Sequence, residues 1–119
     1  MINEVTLQGV FNSIPKTQGN SIVFKIGVEH WAENGRLSKT DDFEAEVSGI
    51  DQMEAIKNYL DGKDPVLIKG RLYRPGEQPR ILAKADNPEH GLFFLSKENE
   101  WINVLEIGKR FREKMNYGE

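Results

Sequence analysis

The sequence contains no cysteine, which excludes a disulfide framework and any thiolate metal centre. No apolar run approaches the ~20 residues of a membrane-spanning helix. The opening residues Met1-Ile2-Asn3-Glu4 show no basic stretch followed by an apolar one, so no signal peptide is expected and a cytoplasmic location follows. Histidine is scarce, with only His30 and His90, and there is no Gly-rich phosphate loop of the Walker type. His30, flanked by Glu29 and Trp31, is too little for a catalytic centre. Asp41, Asp42, Glu44 and Glu46 have the oxygen chemistry of a hard-metal site, but strand alternation lays Asp42, Glu44 and Glu46 in a row, which is a poor cage. A solvated acidic face is expected, with no enzyme activity, no metal and no cofactor.

An excess of positive charge is also missing. The net charge is −3 over 119 residues, with 38% hydrophobic and 29% charged residues, a balance that supports one soluble domain with a modest core. The distribution is uneven. Residues 41–61 carry seven acids and one base, Lys57, whereas residues 63–84 carry six bases, Lys63, Lys69, Arg71, Arg74, Arg80 and Lys84, against Asp64 and Glu77. A basic stretch therefore lies inside an acidic whole.

What the sequence has in quantity is period-two alternation, the mark of strands with one wet face. Val5, Leu7, Gly9 and Phe11 alternate with Glu4, Thr6, Gln8 and Val10. Ile22, Phe24, Ile26 and Val28 alternate with Val23, Lys25, Gly27, Glu29 and Trp31. Phe43, Ala45 and Val47 alternate with Asp42, Glu44, Glu46 and Ser48. Residues 13–20 read as a turn, with Pro15, Gly19 and Asn20 as breakers, and residues 33–41 as a hairpin loop. A helix is expected from Asp51 as N-cap to Gly62 as stop, with Met53, Ile56, Tyr59 and Leu60 at helical spacing. Strands follow at residues 66–73 and 80–86, separated by a turn at residues 74–79. Residues 90–95 suggest one more short strand, and a helix is expected over about residues 100–115.

Three strands, a helix and two strands are the order of an OB fold. The expected fold is thus all-β, a five-stranded Greek-key barrel with its helix between the third and fourth strands and a short C-terminal extension. The expected division is residues 1–88 for the barrel and 89–119 for the extension, packed on the barrel or at an oligomer interface.

Parts of the sequence resemble the bacterial and phage single-stranded-DNA-binding family. Asn3-x-Val5-x-Leu7-x-Gly9 resembles its first strand. Tyr59-Leu60-Asp61-Gly62-Lys63 followed by Val66-x-Ile68-x-Gly70-x-Leu72 resembles its helix end and fourth strand, and Glu29-His30-Trp31 sits where its second strand ends in an aromatic. The resemblance covers about residues 1–86. It implies an OB fold, a dimer or tetramer of identical chains, and sequence-tolerant binding and protection of single-stranded DNA. It also implies replication and recombination proteins as partners. The short chain, without a Gly- or Gln-rich linker, is more similar to phage versions, whose location would be the host cytoplasm. Two departures stand out. Bacterial members usually end in an acidic tail closing on Pro-Phe, whereas this sequence ends Met115-Asn116-Tyr117-Gly118-Glu119. Members also carry DNA-facing aromatics on the third strand, where Asp42, Glu44, Glu46 and Ser48 stand here.

Single-strand binding needs cations that follow the backbone and π-faces that stack bases. Alternation places Lys25 and Trp31 outward on the second strand, Leu67, Lys69, Arg71 and Tyr73 outward on the fourth, and Arg80, Leu82 and Lys84 outward on the fifth. The candidate DNA-binding residues are thus Trp31 and Tyr73 for stacking and Lys25, Lys69, Arg71, Arg74, Arg80 and Lys84 for phosphate. Arg36 and Lys39 of the hairpin loop form a possible clamp. Phe11, Phe24 and Phe43 are expected in the core. A protein–protein adaptor of a replisome or primosome on the same fold is the alternative, because OB barrels host many functions. RNA binding is not separable from DNA binding at this level.

Overall fold

A computed structural model describes residues 3–49 and 65–106 of the chain. The helix expected between residues 51 and 62 lies outside the described residues. The described residues form eight strands in order: β1 (Val5–Phe11), β2 (Lys16–Gln18), β3 (Ser21–Trp31), β4 (Leu37–Ser48), β5 (Pro65–Tyr73), β6 (Arg80–Lys84), β7 (Gly91–Leu95) and β8 (Trp101–Asn103).

The pairings run β1–β3–β4–β6–β5, and β5 returns to β1. Five strands therefore close a hydrogen-bonded circuit. Among the described strands only the β4–β6 pair is parallel, in the register Glu44↔Arg80 to Ser48↔Lys84. β1 makes the closure: Val5–Val10 face Gly70–Pro65 of β5, while Val10 and Phe11 also face Gly27 and Ile26 of β3. The Asn3 side chain extends this ladder by one step. Its amide donates to Leu72 O at 2.9 Å and accepts from Leu72 N at 3.0 Å, as a backbone peptide would.

Closure requires close approach of backbones, and glycine permits it. A Cβ on Gly70 would lie 2.2 Å from Leu82 O, and one on Gly9 2.5 Å from Gly27 O. Both contacts are with backbone, which cannot swing aside.

Inside the circuit Ile22, Phe24, Ile26, Ala45, Val47, Val66, Ile68, Ile81 and Ala83 form the core, with Val5, Leu7 and Phe11 packed against it. The Phe11 and Phe24 rings meet at 5.9 Å with a 51° tilt, a geometry that aromatic pairs favour. β7 pairs with β5 and β8 with β7, and Leu92, Phe94, Val104 and Leu105 join the same core.

Several expectations are corrected. The 13–20 turn contains β2, which extends the sheet beside β3, and Val23, between Lys16 of β2 and Glu46 of β4, is buried despite its outward parity. The loop at residues 33–41 shrinks to residues 32–36, because β4 begins at Leu37 and continues the ribbon with β3. Leu82, expected outward, is 5% exposed, and Phe43, expected in the core, is 43% exposed. Phe43 faces the core-side residue Ile26, but β6 joins β4 only from Glu44 onward, so among the described residues no strand flanks it on that side. Leu72 is likewise half-exposed near the end of β5. At the start of the helix expected over about residues 100–115, Trp101–Asn103 pair instead as a strand with β7, and residues 104–106 are helical; the rest of that expectation, from residue 107 on, lies outside the described residues.

Candidate nucleic-acid interface

Cross-strand register sets the outer surface of the sheet. One row runs Tyr73, Arg80, Glu44, Lys25 across β5, β6, β4 and β3. The next runs Arg71, Leu82, Glu46, Val23, Lys16, ending on β2. In the first row cation and anion alternate, the favourable arrangement for side chains directly opposite one another.

Arg80 is the hub of that row. Its Nε lies 3.2 Å from Glu44 Oε2, an ion-pair contact without hydrogen-bond geometry, and its Nη1 donates to Glu46 Oε1 at 2.9 Å. Glu46 also accepts from the Tyr73 hydroxyl and, at 3.0 Å, from Ser21 Oγ. Burial pushes the Glu46 carboxyl up, but the hydrogen bonds from Tyr73, Arg80 and Ser21 outweigh it and hold the group below its ordinary value. Burial and the bond to Glu46 raise the Tyr73 phenol. The Glu44 carboxylate raises the Arg80 guanidinium further above its ordinary range.

A groove lies beside this row on the outer face. It opens at the edge that β4 leaves bare before β6 joins it. Lys25, Asp42, Phe43, Glu44, Gln78 and Pro79 line a volume of about 530 Å³ there. A second depression of about 290 Å³ shares Lys25 and Glu44 and continues to Ile14, Lys16 and Gln18. Together they make one track between the loop after β1 and the turn at residues 74–79, with Lys25 at its centre. Ile14 is 84% exposed beside it, and Asp42 is held by the Asn12 amide, which donates to its Oδ1 at 2.7 Å.

The structure divides the residues expected to bind DNA. Lys25 lies in the groove. Arg80 and Tyr73 lie in the carboxylate cluster. Lys69 and Arg71 are exposed on β5, and Arg71 lies across from Leu82. Lys84 is half-buried, and its backbone N donates to His90 Nδ1 at 2.9 Å. Burial, with the charges of Arg71 and Lys84, depresses the His90 pKa, while the charges of Glu89 and Asp86 oppose this. Arg74 folds over its own turn, its Nε donating to Gly76 O at 3.2 Å and Glu77 O at 3.1 Å. Trp31, Arg36 and Lys39 belong to the far ribbon, where Trp31 is 62% exposed opposite Leu37 and a bulge falls between His30 and Trp31. There Asp41 accepts an ion pair from Lys39 at 3.7 Å and lies 2.7 Å from His30 Nε2.

Ile14, Lys16, Phe43, Gln78 and Pro79 were not legible as groove residues in the sequence. Ile14 carried a signal, a lone large apolar residue within a polar turn. Phe43 carried none, because its parity is that of a core residue.

No protein-family model matches the chain, and no curated protein matches it in sequence. Solved structures do resemble it in fold. The Plasmodium falciparum single-stranded-DNA-binding protein, in complex with single-stranded DNA, superposes with a TM-score of 0.60 at 20% identity, covering 81% of this chain and 96% of that one. A small single-stranded-DNA-binding protein from Mycoplasma pneumoniae gives 0.58 at 20%, covering 86% and 100%. Another from Streptomyces coelicolor gives 0.54 at 21%, covering 68% and 87%. At these identities the likeness is one of fold: an all-β, strand-dominated sheet similar to those proteins.

Proposed function

We propose that the chain is an OB-barrel protein that binds and protects single-stranded DNA, a phage-type member of that class acting in replication and recombination. The observation that carries this reading is the groove across the outer face between the two loops. In OB folds that face and those loops are where oligonucleotides are held. The groove combines a central cation, Lys25, with a half-exposed aromatic ring, Phe43, the pairing that single-strand binding needs. Lys16 continues the basic track, and Lys69 and Arg71 offer phosphate contacts on β5. Trp31 on the ribbon supplies a second stacking face, with Arg36 and Lys39 beside it as a clamp. Arg74, Arg80, Lys84 and Tyr73 act at the margin, since Arg80 and Tyr73 are already engaged by Glu44 and Glu46.

In this reading residues 1–88 are the barrel and residues 89–119 an extension, on the barrel or at an oligomer interface; the pairing of β7 onto β5 supports the first for its described part. The protein works in the cytoplasm, the host's if phage-encoded, as a homo-oligomer, and has no catalytic role. A labelled mixed-sequence oligonucleotide of about 15 nucleotides, within the span of one or two OB sites, should raise its anisotropy on titration, and affinity should fall steeply with salt. Absence of binding would refute this reading. It would favour the alternative, a replisome or primosome adaptor, which is supported by the neutralisation of Arg80 by two carboxylates and by the exposed Ile14, Leu37 and Leu72.

A further inference from the structure

We propose that the groove at the bare edge of β4 reads the Watson–Crick edge of one base through Asp42 and Glu44, and so prefers cytosine to thymine. The inference rests on the single-strand reading above and deepens it. The groove wall has a flat apolar part, Phe43 and Pro79, and a polar part, Lys25, Asp42, Glu44 and Gln78. Its volume of about 530 Å³ is within the range of small-ligand sites. One oxygen of each carboxylate is engaged, Asp42 Oδ1 by Asn12 and Glu44 Oε2 by Arg80. An ionised carboxylate offers about four acceptor sites, so each keeps acceptor capacity beyond that partner.

Two carboxylates repel phosphate. A strand entering here is therefore oriented, with its phosphates drawn to Lys25 and Lys16 and its base turned toward Asp42 and Glu44. A base in that position needs hydrogen-bond donors. Cytosine presents an exocyclic amine beside acceptors, a match to a carboxylate next to a hydrogen-bond donor, and carboxylates are the usual acceptors for that amine. Glu44 and the Gln78 amide, which line the same groove, supply such a pair. Thymine presents one imide N–H between two carbonyls, and those carbonyls face the carboxylates with like partial charge. The two pyrimidines carry identical backbones, so the counterion-release contribution cancels between them.

The test is competition of unlabelled oligo-dC and oligo-dT of equal length for a bound mixed-sequence probe at pH 8, with the wild-type protein and with Glu44→Gln and Asp42→Asn. The wild type should bind oligo-dC about tenfold more tightly, the effect of one good base-edge contact. Each variant should bring the dC/dT ratio toward one while raising affinity for oligo-dT, because a negative charge has gone. Equal affinity in the wild type, a preference for oligo-dT, or a dC preference unchanged in both variants would overturn the inference and leave single-strand binding standing. Binding of neither polymer would overturn the single-strand reading, and the base preference with it.

Discussion

Replacing Phe43 by leucine separates stacking from packing in the groove. Phe43 is 43% exposed and faces Ile26 across the ribbon. Full burial of a phenylalanine is worth about 1.5–3 kcal/mol; this ring realises a little over half of that, and leucine keeps most of the apolar contact. Phe43→Leu should therefore lower stability by less than about 1 kcal/mol. It removes the π-face entirely. A stacked base is worth about 1–3 kcal/mol on truncation, and leucine retains some contact, so a loss of about 1–2 kcal/mol is expected, a rise in Kd of about 5- to 30-fold. No charge changes, so the ratio of mutant to wild-type Kd should be the same at about 50 and 200 mM salt. Anisotropy titration at both salt concentrations measures the ratio, and urea denaturation measures the stability. An affinity within twofold of wild type at both salts, with stability reduced, would show that the ring only packs and would remove Phe43 from the interface.

Trp31→Ala should weaken single-strand binding by about 1–3 kcal/mol without changing the denaturation midpoint, since the residue is exposed at the ribbon end; titration with an oligonucleotide checks it. Lys25→Met should flatten the plot of log K against log salt by about 0.7, one phosphate on a single strand, and an unchanged slope would take Lys25 off the backbone path. Gly70→Ala should destabilise the fold by about 1–3 kcal/mol or more, because its Cβ would meet Leu82 O at 2.2 Å; a wild-type melting temperature would contradict the closed circuit at this point. Because its folded pKa is depressed, Glu46 contributes stability that is present above the ordinary glutamate value of 4.5 and lost as pH falls through the lower folded value. Glu46→Gln should accordingly lose about 1.5–3 kcal/mol near neutrality, with the gap to wild type closing in acid, as denaturation at pH 7 and pH 3 would show.

The strands were legible because each has one face against a common core, and alternation records that directly. Ile22, Phe24 and Ile26 are 0–1% exposed while Lys25 between them is open. Parity stopped predicting burial where a neighbouring strand was added or ran out. Val23 is outward by parity but is flanked by Lys16 of β2 on one side and Glu46 of β4 on the other, and Phe43 is inward by parity but lacks a flanking described strand. Both depend on where other segments end, which a local pattern does not contain. The fate of Arg80 was hidden for a similar reason. Glu44 and Glu46 stand more than thirty residues earlier, and only the parallel β4–β6 register brings them alongside.

That register also changes what the charge distribution means. The basic stretch at residues 63–84 and the acidic stretch at 41–61 look like separate surfaces in sequence, but β6 lies against β4, so part of the basic stretch is spent neutralising part of the acidic one. The cations that the proposed function assigns to phosphate, Lys16, Lys25, Lys69 and Arg71, lie on both sides of a strip held by Glu44, Arg80 and Glu46. A strand crossing this face passes over a centre that does not attract its backbone. Affinity there has to come from the bases: from rings such as Phe43, whose contribution salt does not erase, and from acceptors such as Asp42 and Glu44, whose contribution depends on which base arrives. An acidic sheet is therefore compatible with binding a single strand, provided the bases rather than the phosphates face it, and it is less suited to a duplex, whose outer surface is phosphate.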